Sequence, residues 1–155
     1  MALSFRVPAA AILLLAALLG GCTRKPKPST VVVHVLRDLR SIYGSELDRR
    51  ILDFQGSNPR LESGQAVVIQ SETGEYKEML AKQGSDNEGI DVIILNSPDD
   101  AQVSAALQTA LPQAPNICAG LKACPANVPA IIPQQVSGTE RQAAQMFVDF
   151  LQKAP

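Results

Sequence analysis

Residues 31–36 read Val-Val-Val-His-Val-Leu, an apolar and mostly β-branched run broken only by His34. Such a run marks a strand buried on both faces of a parallel sheet, because a strand with one wet face alternates apolar and polar residues instead. A helix is expected next. Ser45 stands where an N-cap belongs, and Leu47, Ile51 and Phe54 recur at helical spacing until Gly56 and Pro59 end the pattern. Residues 66–69, AVVI, repeat the strand, followed by Ser71 and a helix carrying Tyr76, Met79 and Leu80 as far as Gly84. Residues 92–95, VIIL, make a third strand. Ser97-Pro98-Asp99-Asp100 then supplies a cap, a proline at the first helical position and two acids suited to the positive end of a helix. Its apolar face uses Val103, Leu107, Ala110 and Leu111 before Pro112.

Residues 112–127 hold Pro112, Pro115 and Pro125 with Cys118 and Cys124, the composition of a loop. Val128 to Ile132 is expected as a fourth strand, which Pro129 confines to an edge or a strand start. Ser137-Gly138-Thr139-Glu140 has the S-x-x-E spacing of a capping box, and Ala143, Phe147, Phe150 and Leu151 form one apolar stripe behind it. Strands alternating with helices predict an α/β domain. The expected architecture is a three-layer, open, mostly parallel sheet of about four strands, with right-handed crossovers and helices on both faces.

Upstream of this domain lie the parts of a secretory signal: Arg6 as the early positive charge, an apolar run from Ala9 to Leu19, and small residues. The run is too short to span a bilayer, which takes about 20 apolar residues. Leu19-Gly20-Gly21-Cys22 resembles the lipobox of bacterial lipoprotein precursors. The resemblance implies cleavage before Cys22, a palmitate-bearing lipid on its thiol and attachment to a membrane of the cell envelope, at the periplasm or the cell surface. Residues 23–30, TRKPKPST, contain no apolar residue and read as an extended tether. The expected organisation is a signal peptide over 1–21, a lipid-anchored tether over 22–30 and one domain over 31–155.

The 14 basic and 15 acidic residues nearly cancel, and no basic stripe exists of the kind that nucleic acid requires. With Cys22 lipidated, Cys118 and Cys124 remain in an oxidising compartment and are expected to pair, a closure worth about 2 kcal/mol. His34 is the only histidine and sits within a strand, so no metal site is expected. G-x-S-x-G, a phosphate loop and H-E-x-x-H are all absent. No catalytic residue and no cofactor are predicted, and Asp99 and Asp100 are explained by the helix dipole.

In a parallel sheet, ligands sit beyond the carboxyl ends of the strands. Arg37, Arg40, Ser41 and Tyr43 follow the first strand, Ser71 the second, and Asn96 and Ser97 the third. Hydroxyls beside helix amino ends favour an anion or a polar molecule, and either arginine offers a charge-assisted bond to an oxyanion. The same serines also suit plain helix capping. Residues 31–54 (VVVHVLRDLRSIYGSELDRRILDF), 66–81 (AVVIQSETGEYKEMLA), 90–96 (IDVIILN) and 128–151 (VPAIIPQQVSGTERQAAQMFVDFL) together resemble the extracellular solute-binding proteins of ABC transporters. That resemblance implies one lobe of a type II periplasmic binding fold, with Ser41, Ser71 and Ser97 in its ligand loops. The resemblance covers only one of the family's two lobes, so a second copy, a transporter permease or another protein would be expected to supply the facing wall. The rival expectation is a structural or protein-interaction lipoprotein that keeps the fold without a working ligand site.

Overall fold

A computed structural model of the chain describes residues 29–38, 41, 43–74, 89–96, 105–122, 124 and 127–154. The elements are β1 (Thr30–Asp38), α1 (Gly44–Gly56), β2 (Ala66–Gly74), β3 (Val92–Ile94), α2 (Ala105–Ala110), β4 (Ala130–Ile131) and α3 (Gly138–Leu151). Two short 3₁₀ turns, Leu111–Gln113 and Cys118–Gly120, lie between α2 and β4. The sheet order is β2-β1-β3-β4. β1 pairs in parallel with both β2 and β3, whereas β4 runs antiparallel to β3, so the fold is α/β with a mixed four-stranded sheet.

β1 is central because its β-branched residues suit a pleated surface buried by two neighbours. Burial on both faces holds for Val35 and Leu36 but not for Val32, which is 39% exposed. Alternation along β1 divides its contacts. Val31, Val33 and Val35 join Leu47, Ile51 and Phe54 of α1 and Ala143, Phe147 and Leu151 of α3 in the larger hydrophobic cluster. Leu36 joins Ile93, Leu95, Leu107 and Ile131 in a smaller one.

Three local expectations are corrected. β2 continues past Ile69 to Gly74, because its carboxyl half pairs with β1 through Val35↔Ser71 and Asp38↔Gly74; Ser71 is therefore a strand residue, not the start of a helix. α1 begins at Gly44, so Ser45 lies in its first turn. Tyr43 occupies the cap position without a side-chain cap bond and is anchored instead through its hydroxyl, which donates to the Leu95 carbonyl at 3.1 Å. The fourth strand shrinks to two residues and reverses direction, with Pro129 just before it bridged to Asn116. Ser137 does precede α3, with Glu140 in the first turn, though its hydroxyl makes no cap bond. The remainder of the helix expected as far as Gly84, residues 75–84, lies outside the described residues, as do residues 97–104 of the helix expected from Ser97, which is described from Ala105 as α2.

α1 and α3 are joined at one corner. The Phe54 ring meets Phe147 and Phe150 edge-on, with centroids 5.2 and 5.3 Å apart. Arg50, only 4% exposed, donates from Nη2 to the Phe150 and Lys153 carbonyls at 2.8 and 2.7 Å and lies over the Phe150 ring. It thereby adds a charged donor to carbonyls at the carboxyl end of α3, where the Phe150 carbonyl also accepts from the Lys153 N–H. The expected Cys118–Cys124 disulfide forms, with 5.4 Å between Cα atoms. Asn116 Oδ1 knits its loop by accepting from the backbone N–H groups of Cys118 and Val128. Within this loop, a methyl group on Gly120 would run into the Leu151 carbonyl. Phe147→Ala is expected to lower the urea-unfolding free energy by about 3–5 kcal/mol. Gly120→Ala is expected to cost about 1–3 kcal/mol by pushing the end of α3 off the loop; wild-type stability in either variant would contradict this packing.

Candidate functional site

The carboxyl ends of β1, β2 and β3 share one edge, since Arg37 is in register with both Thr73 and Ile94. The chain leaves β1 on one side to form β2 and returns on the other to form β3, so strand order switches at the end of β1. A crevice for ligands forms at such a switch. Here Arg37 Nη2 donates to Asp48 Oδ1 of α1 at 2.7 Å. The guanidinium rests on the amino end of α1: a Cβ on Gly44 would lie 2.5 Å from Arg37 Nη1 and 3.3 Å from Ser41 Oγ. Ser41 is held there by a turn, donating its N–H to the Asp38 carbonyl and accepting from Gly44 N–H, each at 3.2 Å.

This arrangement leaves polar groups unanswered. Tyr43 at the N-cap makes no side-chain bond to α1, and a guanidinium beside the positive end of a helix is electrostatically adverse. Asp48 compensates only in part, because its side chain is 52% exposed while that of Arg37 is 13% exposed. Arg37 Nε, Ser71 Oγ and Asn96 Oδ1 are buried without a hydrogen-bond partner among the described residues, all at or within a few residues of the three strand ends. Each such atom costs about 1–3 kcal/mol until something satisfies it. Tyr43 differs, since its hydroxyl is already bonded; burial first and the Asp38 charge second push that hydroxyl above its ordinary range, with Arg37 opposing. Arg40, Ser97 and Cys22, where lipidation is expected, lie outside the described residues.

A second place was not legible in the sequence. Val32 and His34 of β1, Ile90 and Asp91 before β3, and Val136, Ser137 and Glu140 around the start of α3 line a cavity of about 430 Å³. His34 and Asp91 are joined twice: the His34 N–H donates to Asp91 Oδ2, and the Asp91 N–H donates to the His34 carbonyl, each at 2.9 Å. Burial raises the Asp91 carboxyl above its usual range, the His34 N–H and the His34 side chain oppose this, and Glu140 adds to it. Histidine, aspartate and serine thus line one cavity. The carboxylate binds the backbone of His34 and not its imidazole, so it does not orient the ring as a hydrolytic triad requires. The only sequence signals were the lone histidine and the S-x-x-E spacing, separated by about a hundred residues.

Another cavity, of about 280 Å³, lies beside β4 and includes Gln134, Arg141 and Gln145. Neither cavity is lined by Arg37, Ser41, Tyr43, Ser71 or Asn96. Among the described residues, no group of three or more His, Cys, Asp and Glu is placed to hold a metal ion, and no helix is long and apolar enough to cross a membrane. The chain matches no protein-family model, no curated protein and no solved structure.

The raised Asp91 carboxyl has a consequence for stability. The folded chain holds that proton more tightly than the unfolded chain, so folding is favoured at low pH and loses that advantage as the pH rises above the ordinary aspartate value of about 3.9. Asp91→Asn keeps an oxygen for the His34 N–H and removes the titration. Urea unfolding across acidic pH should show wild-type stability falling relative to Asp91→Asn as the pH rises; a pH-independent difference would contradict the assignment.

Proposed function

We propose that the protein is a lipid-anchored, extracytoplasmic, solute-binding-like module that holds a small polar or anionic ligand at the carboxyl end of β1, possessing no catalytic activity of its own. One observation carries the reading: the Arg37 guanidinium, the Ser41 backbone turn and the amino end of α1, whose N-cap Tyr43 makes no side-chain cap bond, meet at the switch in strand order, with Arg37 Nε buried and without a partner among the described residues. An oxyanion there would accept from the helix N–H groups and from Arg37 together. The lipobox-like Leu19-Gly20-Gly21-Cys22 supports attachment to a cell-envelope membrane through Cys22.

In this reading the sheet is the middle of three layers, with α1 and α3 on one face and α2 on the other, like one lobe of a type II periplasmic binding protein. The Cys118–Cys124 loop then stands where such proteins send the chain into their second lobe. A ligand held by one lobe keeps much of its water and binds weakly, unless a second copy or a transporter permease closes over it. The Arg37–Asp48 ion pair favours a second reading, an interaction lipoprotein whose arginine serves only to fasten α1 to the sheet.

Asp48 separates the two readings. If a ligand competes with Asp48 for the guanidinium, the shift in Tm of the full chain with millimolar phosphate or acetate should appear at about fivefold lower concentration in Asp48→Ala and vanish in Arg37→Gln. Absence of any shift with phosphate, acetate or amino acids, in wild type and Asp48→Ala alike, would favour the interaction reading.

A further inference from the structure

The cavity beside His34 is lopsided in charge. Val32, Ile90 and Val136 give it an apolar wall, while Asp91 and Glu140 give it two carboxylates. The ion pairs found among the described residues, Arg37–Asp48, Arg49–Glu46 and Arg49–Asp53, involve neither of these acids. Arg141, next to Glu140 in the chain, instead donates to the Val136 carbonyl at 3.3 Å. Asp91 is 6% exposed, and among the described residues its side chain accepts one hydrogen bond, from the His34 backbone, and has no counter-ion. A carboxylate buried that far is normally paired. The amino end of α3 faces the cavity through Ser137 and Glu140, but its partial positive charge, about half a unit, is outweighed by two carboxylates.

We propose that this cavity is a binding site for a cation on a short alkyl chain, a protonated amine whose ammonium lies between Asp91 and Glu140 while its methylenes pack on Val32, Ile90 and Val136. The volume of about 430 Å³ is that of a small-molecule site. The reciprocal bonds between His34 and Asp91 fix the carboxylate to the sheet, so the site is formed before the ligand arrives. The double anchoring at the amino end of β3 keeps it apart from the strand carboxyl ends, and it does not depend on a ligand there. A free polyamine and a lysine side chain of another protein present the same chemistry.

The test is isothermal titration of the full chain in detergent with n-butylammonium, spermidine and Nα-acetyl-lysine amide, using n-butanol as the neutral control. Saturable binding is expected for the ammonium probes and not for n-butanol. Glu140→Gln should weaken it about fivefold, and Asp91→Asn should abolish it. Glu140 is exposed, so its variant keeps the test valid if Asp91→Asn fails to fold. Tighter binding of spermidine than of the lysine amide supports a free amine as the ligand, and the reverse order supports a protein side chain. No binding of any ammonium probe, equal binding of n-butanol, or binding unchanged by Glu140→Gln would overturn the proposal.

Discussion

β1 hydrogen-bonds to two parallel neighbours at once, and the rest of the chain is arranged around that constraint. Its nine residues pair with β2 along their whole length, from Thr30↔Ala66 to Asp38↔Gly74, while its carboxyl half also pairs with β3. A strand paired on both sides satisfies its backbone without water, so its side chains can be apolar on both faces where helices cover them. Val35 and Leu36 occupy that fully enclosed stretch and seed the two hydrophobic clusters. Moving the register by one residue would exchange these faces, turning Val33 and Val35 away from α1 and α3.

The polar chemistry of the molecule is positioned by where that pairing starts and stops. At its carboxyl end the backbone leaves the sheet, and Arg37, Ser41 and the start of α1 are gathered within a few residues. On the other face, earlier along the strand, β3 has not yet begun; Asp91 extends the contact through one carboxylate and one N–H to His34. The first arrangement concentrates donors and the second concentrates acceptors. One buried strand thus separates a donor-rich edge from an acceptor-rich cavity.

Much of the fold was legible because periodicity reports burial directly. Leu47, Ile51 and Phe54 line the inner face of α1, and Ala143, Phe147 and Leu151 that of α3, as helical spacing requires. Strand ends were less legible. β2 runs on through Gln-Ser-Glu-Thr, since an edge strand with a wet face tolerates polar residues as long as its partner supplies hydrogen bonds. β4 reverses because the loop before it is tied back by Asn116 and the disulfide, which no hydrophobic pattern encodes. Of the site residues, Arg37 and Ser41 could be placed from the strand-helix boundary. Pairing of Arg37 with Asp48, burial of Asn96 and Ser71, and the meeting of His34, Asp91 and Glu140 all depend on contacts distant in sequence.

The anion site proposed at the end of β1 requires the amino end of α1 and Arg37 to act together. Amide-resolved NMR of the full chain, titrated with phosphate, tests it most directly. Saturable shifts are expected at the backbone N–H groups of Ser45 and Glu46 and at Arg37 Nε–H, with the Asp91 and Glu140 amides unmoved. Shifts scattered over the surface, or confined to residues remote from β1 and α1, would contradict it.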